Sequence, residues 1–162
     1  LKDSLAELQA RADRLQMQDP EYRKELGFWI GSGALGASWL SARIGQAVVT
    51  HLDLGDREAQ KNSKLLQSAP VIGVLLTETD ARPERVKVGQ IYERLALAAN
   101  TAGVAVHPMS QILERPGMRD ELTTLITDAD GLPQHLFRLG YSSEEGEQTP
   151  RWPVSKFVKM TS

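Results

Sequence analysis

The sequence predicts helices packed on a central sheet, in an α/β layer structure that is incomplete within this chain. Short apolar runs rich in β-branched residues alternate with longer stretches whose apolar residues recur at three- and four-residue steps. Glycine and proline stand at most of the joins. Only three strand-like runs occur, too few for the sheet of a 162-residue domain.

The first element is an amphipathic helix over residues 1–17, with Leu5, Leu8, Ala12 and Leu15 on its apolar face. Asp19-Pro20 is an N-cap followed by proline at the first helical position, with Glu21 complementing the helix dipole. This second helix is expected to bury Tyr22, Leu26 and Trp29 and to stop at Gly31-Ser32-Gly33, where Gly31, Gly33 and Gly36 mark a loop. Residues 37–52 read as a third helix, with Leu40, Ile44, Ala47, Val48 and Leu52 on one face, and polar residues 53–64 as a connection. Pro70-Val-Ile-Gly-Val-Leu-Leu76 reads as a strand covered on both faces. A long helix over 83–102 follows, with Val86, Ile91, Leu95 and Ala98 or Ala99 facing inward and Gly103 suited to a left-handed residue after its end. Val104–Val106 is the second strand, ending at His107-Pro108. A loop through Glu114–Gly117 leads to a helix near 118–127. Gln134-His-Leu-Phe-Arg-Leu139 is the third strand, closed by Gly140. Residues 142–148 read as a polar, acidic hairpin or loop, and one helical turn is expected at 154–158.

One domain is the expectation for this length. Apolar residues make up 41% and charged residues 25%, ordinary values for a globular protein. The net charge of −2, with no long basic run, gives no electrostatic footprint for nucleic acid. No apolar stretch is long enough to span a membrane, and no signal or transit sequence is visible. Cysteine is absent, which excludes disulfides, thiolate metal sites, iron–sulfur clusters and a cysteine nucleophile from this chain and fits a cytoplasmic setting. Leu1 is not a translation start, so residues outside this window are expected to belong to the working molecule.

No phosphate loop, zinc-protease helix or nucleophile elbow is present. Gly31-Ser-Gly-Ala-Leu-Gly36 superficially resembles a dinucleotide loop, but it follows a helix where the phosphate-cradling turn needs a strand. His51, His107 and His135 carry no metal-ligand spacing, so no metal site is expected. Glu78, Asp80 and Glu84 cluster after the first strand, and capping of the long helix explains them better than catalysis. No nucleophile–base pair stands out, so no catalytic residue is assigned. In the tail, prolines flank Arg151 and Trp152 and stiffen the backbone. A rigid guanidinium is a good phosphate ligand, and spacing alone leaves this open against a plain exposed cation.

Seven pieces in order resemble the nitroreductase family, in its Acg-like bacterial branch. They are Ser68-Ala-Pro-Val-Ile-Gly-Val-Leu75, Gly89-Gln-Ile-Tyr-Glu-Arg-Leu95, Leu97-Ala-Ala-Asn-Thr-Ala-Gly103, Pro108-Met-Ser-Gln-Ile-Leu-Glu114, Arg119-Asp-Glu-Leu122, Phe137-Arg-Leu-Gly-Tyr141 and Thr149-Pro-Arg-Trp-Pro-Val154. The stretch that carries them, residues 62–158, makes up about three-fifths of the chain. The resemblance makes residues 62–158 the family core and tail, with 1–61 as the helical region before them, all within one domain. This chain is then the C-terminal portion of the family domain.

The resemblance implies an α+β sandwich that forms a homodimer, with FMN at the dimer interface and NAD(P)H as hydride donor. The acceptor is a small flat aromatic such as a nitroaromatic or quinone. In such proteins the flavin carries the chemistry while the protein orients it. The turn Pro108, Met109, Ser110, Gln111 matches the one that presents backbone amides to the isoalloxazine edge. Thr149 and Arg151 match the tail that holds the FMN phosphate. Trp152 departs from the pattern, which has a second arginine there. The arginine- and asparagine-rich N-terminal segments of the family site are missing from the chain. A flavin-sequestering protein of the same fold, without turnover, is the alternative that these departures leave standing. A third reading makes the chain a dimerisation unit alone.

Overall fold

A computed structural model describes residues 1–32, 39–52, 54–115, 117–127 and 129–142. The chain is α+β, and its described residues divide into two compact units, one built from residues 1–19 and 53–143 and the other beginning at 20–52.

The first unit holds a three-stranded antiparallel sheet. Strands β1 (Val71–Thr77), β2 (Ala105–Pro108) and β3 (Leu132–Gly140) lie in the order β1-β3-β2. The last strand in sequence is therefore the central one. Val74 pairs with Leu136, Gly73 with Phe137 and His107 with Arg138, so Ile72, Val74, Leu136 and Arg138 share one face. Leu75, His135 and Phe137 share the other. The register slips between Leu75 and Leu76, a local irregularity that lets Pro133 sit buried beside an edge strand.

Helices α1 (Lys2–Gln18), α4 (Gly55–Ser68) and α6 (Met118–Leu125), with a 3-10 turn at Gln111–Glu114, supply the core on the Leu136 face. Leu5, Leu8, Leu66, Met109, Ile112 and Leu122 meet Leu136 there, and Ile72 and Val74 pack against them from the sheet. Helix α4 corrects the reading of 53–64 as a connection. Its first two turns carry few large apolar residues, but Gly55, Ala59 and Leu66 form a buried stripe against α1. Leu15 is exposed, and Gln9, Asp13 and Met17 are buried in its stead, because α1 is covered by α4 along one side and by the 3-10 turn and α6 along another.

Helix α5 (Arg82–Thr101) packs on the opposite face. Its end forms the expected left-handed stop. Gly103 has φ +70°, with Val104 N–H bonded to Ala99 O at 2.8 Å and Gly103 N–H to Asn100 O at 3.1 Å. Val86 and Ile91, expected inside, are exposed. Apolar residues surround this helix, so spacing did not single out the stripe at Val88, Tyr92 and Leu95 that lies less exposed. Strand β1 is also half-covered, with Val71 exposed, because it is an edge strand.

The second unit contains α2 (Pro20–Gly31) and α3 (Trp39–His51), packed on each other. Their contact runs through small residues. A Cβ at Gly27 would collide with the Thr50 hydroxyl, and one at Gly31 with the Gln46 amide. Gly27, Ala42 and Val49 are buried, whereas Trp29, Ile44 and Leu52 are exposed and Tyr22 and Leu26 half-buried. The close backbone approach selects the small-residue stripe over the bulky one expected to pack.

Candidate functional site

The turn from Pro108 to Gln111 leaves the end of β2 and is pinned to the middle of the sheet. Pro108 pairs opposite Phe137 and, lacking an N–H, suits an edge strand. Met109 N–H donates to Leu136 O at 2.8 Å, while the Met109 side chain is 1% exposed within the core. Ser110 Oγ stands 2.9 Å from His135 Nδ1 and 3.3 Å from both the O and the N of Leu136. Gln111 Oε1 accepts from Gln9 Nε2 at 3.0 Å.

Three of the four side chains are thus engaged within the fold. The turn also leaves backbone donors over. The N–H groups of Ser110, Gln111 and Ile112, at the start of the 3-10 turn, have no backbone acceptor among the described residues. Unpaired N–H groups on a rigid turn can meet a carbonyl oxygen, a ring nitrogen or an anionic edge without reorganising.

His135 lies beneath this turn. Its ring meets Tyr92 edge-on, with centroids 4.1 Å apart, and stacks near Phe137 at 5.9 Å. Tyr92 and Phe137 approach to 5.4 Å, closing an aromatic trio between α5 and β3. Burial lowers the His135 pKa and raises that of Tyr92, so both side chains are neutral at neutral pH. His135 Nε2 is buried with no hydrogen-bond partner among the described residues. Sequence reasoning passed over this histidine as an ordinary strand residue. The available signal was the alternation that puts His135 and Phe137 on one face.

The other expected site residues, Thr149 and Arg151, lie outside the described residues, as do Trp152, most of the acidic loop and the helical turn at 154–158. His51 ends α3 and is exposed. His107 accepts a hydrogen bond from Arg138 Nε at 3.2 Å, and Arg138 Nη1 reaches Leu65 O at the end of α4 at 3.4 Å. Burial, then the nearby Arg138 and Lys61 charges, lower the His107 pKa.

The acidic cluster after β1 is structural. Asp80 takes both Nη groups of Arg119 at 3.1 Å each and Gln134 Nε2 at 3.0 Å, which hold its carboxyl at about 2. Its hydrogen-bond partners are on α6 and β3, and Arg85 in the first turn of α5 adds an ion pair at 3.9 Å. Glu84 does reach back from the first turn of α5, accepting from Thr79 N–H and Oγ1 at 2.9 Å each. A largely apolar cleft of about 560 Å³ opens between α1, β1 and α6, lined by Leu5, Val74, Leu76, Leu125 and neighbours. None of residues 108–111 lines it. Among the described residues no helix is long and apolar enough to cross a membrane.

No protein-family model matches the chain. No solved structure matches it either. Three proteins of Mycobacterium tuberculosis (strain ATCC 25618 / H37Rv) are similar to it. "Putative NAD(P)H nitroreductase Rv3131" is 27% identical over 166 residues, covering 97% of this chain and 48% of that protein. "Putative NAD(P)H nitroreductase acg" is 27% identical over 172 residues, covering 96% of this chain and 50% of its own length. "Uncharacterized protein Rv3127" is 26% identical over 155 residues, covering 90% and 45%. The chain therefore spans about half the length of the curated relatives it matches. Over most of its length, and with an α+β fold, this chain is a distant homologue of mycobacterial proteins named as NAD(P)H nitroreductases, Acg among them.

Proposed function

We propose that this chain is part of an FMN-dependent oxidoreductase that passes hydride from NAD(P)H, by way of the flavin, to a nitroaromatic, quinone or similar flat acceptor. The observation that carries this reading is the Pro108–Gln111 turn. It is anchored at three points with its unpaired N–H groups left over, in a chain similar to nitroreductases by name. FMN, when bound, supplies the two-electron chemistry.

The chain's own part is to hold and polarise. The N–H groups of Ser110 and Gln111 fit the edge of an isoalloxazine ring, where they would stabilise negative charge gained on reduction. Arg151 and Thr149 are assigned to the phosphate by resemblance, through a bidentate guanidinium fork and a hydroxyl. The reading treats residues 1–162 as the C-terminal portion of one family domain. It places FMN at a homodimer interface in the cytoplasm, with further contacts from a segment outside this chain.

The test is to express the chain together with the rest of its gene product and record the visible spectrum. Bound flavin that NAD(P)H bleaches anaerobically, and that an added quinone or nitroaromatic reoxidises, is the expected result. A colourless protein with no NAD(P)H oxidation would remove the proposal. Flavin that copurifies but resists bleaching would identify a sequestering protein instead.

A further inference from the structure

We propose that His135 is the positioning residue of the flavin-facing turn, setting through Ser110 the direction in which the Ser110 and Gln111 N–H groups point. The inference rests on the flavin reading for its ligand, but its geometry is independent of that reading.

Ser110 carries one hydroxyl hydrogen and stands among three partners. Its contacts with the O and N of Leu136 are long, at 3.3 Å each, whereas the contact with His135 Nδ1 is 2.9 Å. The short bond is the one that fixes the rotor. Ser110 itself precedes the 3-10 turn with φ −93° and ψ 8°, so its conformation directs both its own N–H and the next one.

His135 is suited to this task because, among the described residues, Ser110 is the ring's one hydrogen-bond partner. Nε2 is buried and unpartnered, and Ser110 supplies the polar contact of the ring among the described residues. Tyr92 and Phe137 pack against the ring, with centroids 4.1 and 5.9 Å from it and 5.4 Å from each other. Packing therefore holds the imidazole, and the imidazole holds the serine. The neighbouring residues of the turn are secured separately, Met109 by Leu136 O and Gln111 by Gln9. Loss of His135 should thus disturb Ser110 while leaving the flanking anchors in place.

The experiment uses the chain expressed with the rest of its gene product and compares it with His135→Ala, His135→Asn, His135→Gln and Ser110→Ala, reading backbone amide resonances by NMR and FMN affinity by fluorescence titration. His135→Ala and Ser110→Ala are expected to move or broaden the Gln111 and Ile112 amides, beyond the local effect at the substituted residue, while the amides of α4 stay. FMN affinity is expected to fall about tenfold, the equivalent of one hydrogen bond. His135→Asn, whose amide stands where Nδ1 stands, should restore both readouts, and His135→Gln should not. Unmoved amides in His135→Ala and Ser110→Ala would overturn the proposal, as would Asn and Gln variants that behave alike. If His135→Ala fails to fold, the Asn–Gln comparison and Ser110→Ala decide the matter. Amides that respond as expected in a whole gene product that binds no FMN would uphold the positioning role and remove the flavin reading.

Discussion

The Phe137 ring lies across the backbone of Gly73, its partner on the neighbouring strand, so closely that a Cβ at Gly73 would collide with the ring edge. Phe137 cannot easily yield, since it is 3% exposed and meets both Tyr92 and His135. Gly73→Ala is therefore expected to destabilise the first unit by about 1–3 kcal/mol through overpacking. Urea unfolding followed by circular dichroism measures this. A loss under 0.5 kcal/mol would show that the ring relaxes freely.

Asp80 and Arg119 tie β1 to α6. The Asp80 carboxyl is held at about 2 against an ordinary 3.8, chiefly by its hydrogen bonds from Arg119 and then Gln134. A depressed carboxyl contributes stability that is present above 3.8 and lost as pH falls through about 2. Asp80→Asn should flatten the melting temperature between pH 4 and pH 2 relative to the native chain. Thermal melts across that range check it, and an unchanged slope would refute it.

Asp13 behaves in the opposite sense. It is 3% exposed, and burial raises its pKa against the pull of hydrogen bonds from Asn62 at 3.0 Å and Gln9 at 2.8 Å. A raised carboxyl contributes stability at low pH and loses it as pH rises through the folded pKa. The two amide donors offset that loss. Asn62→Ala should destabilise by about 1–3 kcal/mol at pH 7, where a buried carboxylate is left short of a donor. The loss should shrink near pH 4. Chemical denaturation at the two pH values provides the comparison, and an equal loss at both would count against it.

Two histidines set the mildly acidic behaviour. Burial lowers His135, which faces Ser110, Tyr92 and Phe137; burial, Arg138 and Lys61 lower His107. For each, the unfolded chain takes up a proton near 6.5 before the folded chain does. Stability is then full above 6.5 and falls as pH drops toward the folded values. A double variant, His107→Asn with His135→Asn, should have a melting temperature that changes less between pH 7 and 5. An undiminished slope would assign the effect to other groups.

The sequence by itself determined the pieces whose cause is local. Asp19-Pro20 started a helix, Gly103 stopped one, and the β-branched runs became strands at Val71–Thr77 and around Leu136. The Pro108–Gln111 turn was legible through the resemblance, because its motif is contiguous. Tertiary structure decided everything that depends on which stripe of a helix meets a partner. Gly55, Ala59 and Leu66 form a helix stripe that only α1 makes sense of, and the glycines at 27 and 31 outrank Trp29 because close backbone approach favours small residues. The Ser110–His135 contact joins residues 25 apart in sequence and exists only because β3 inserts between β1 and β2. Strand register is set by long-range pairing and burial of one face, and neither leaves a mark in local spacing.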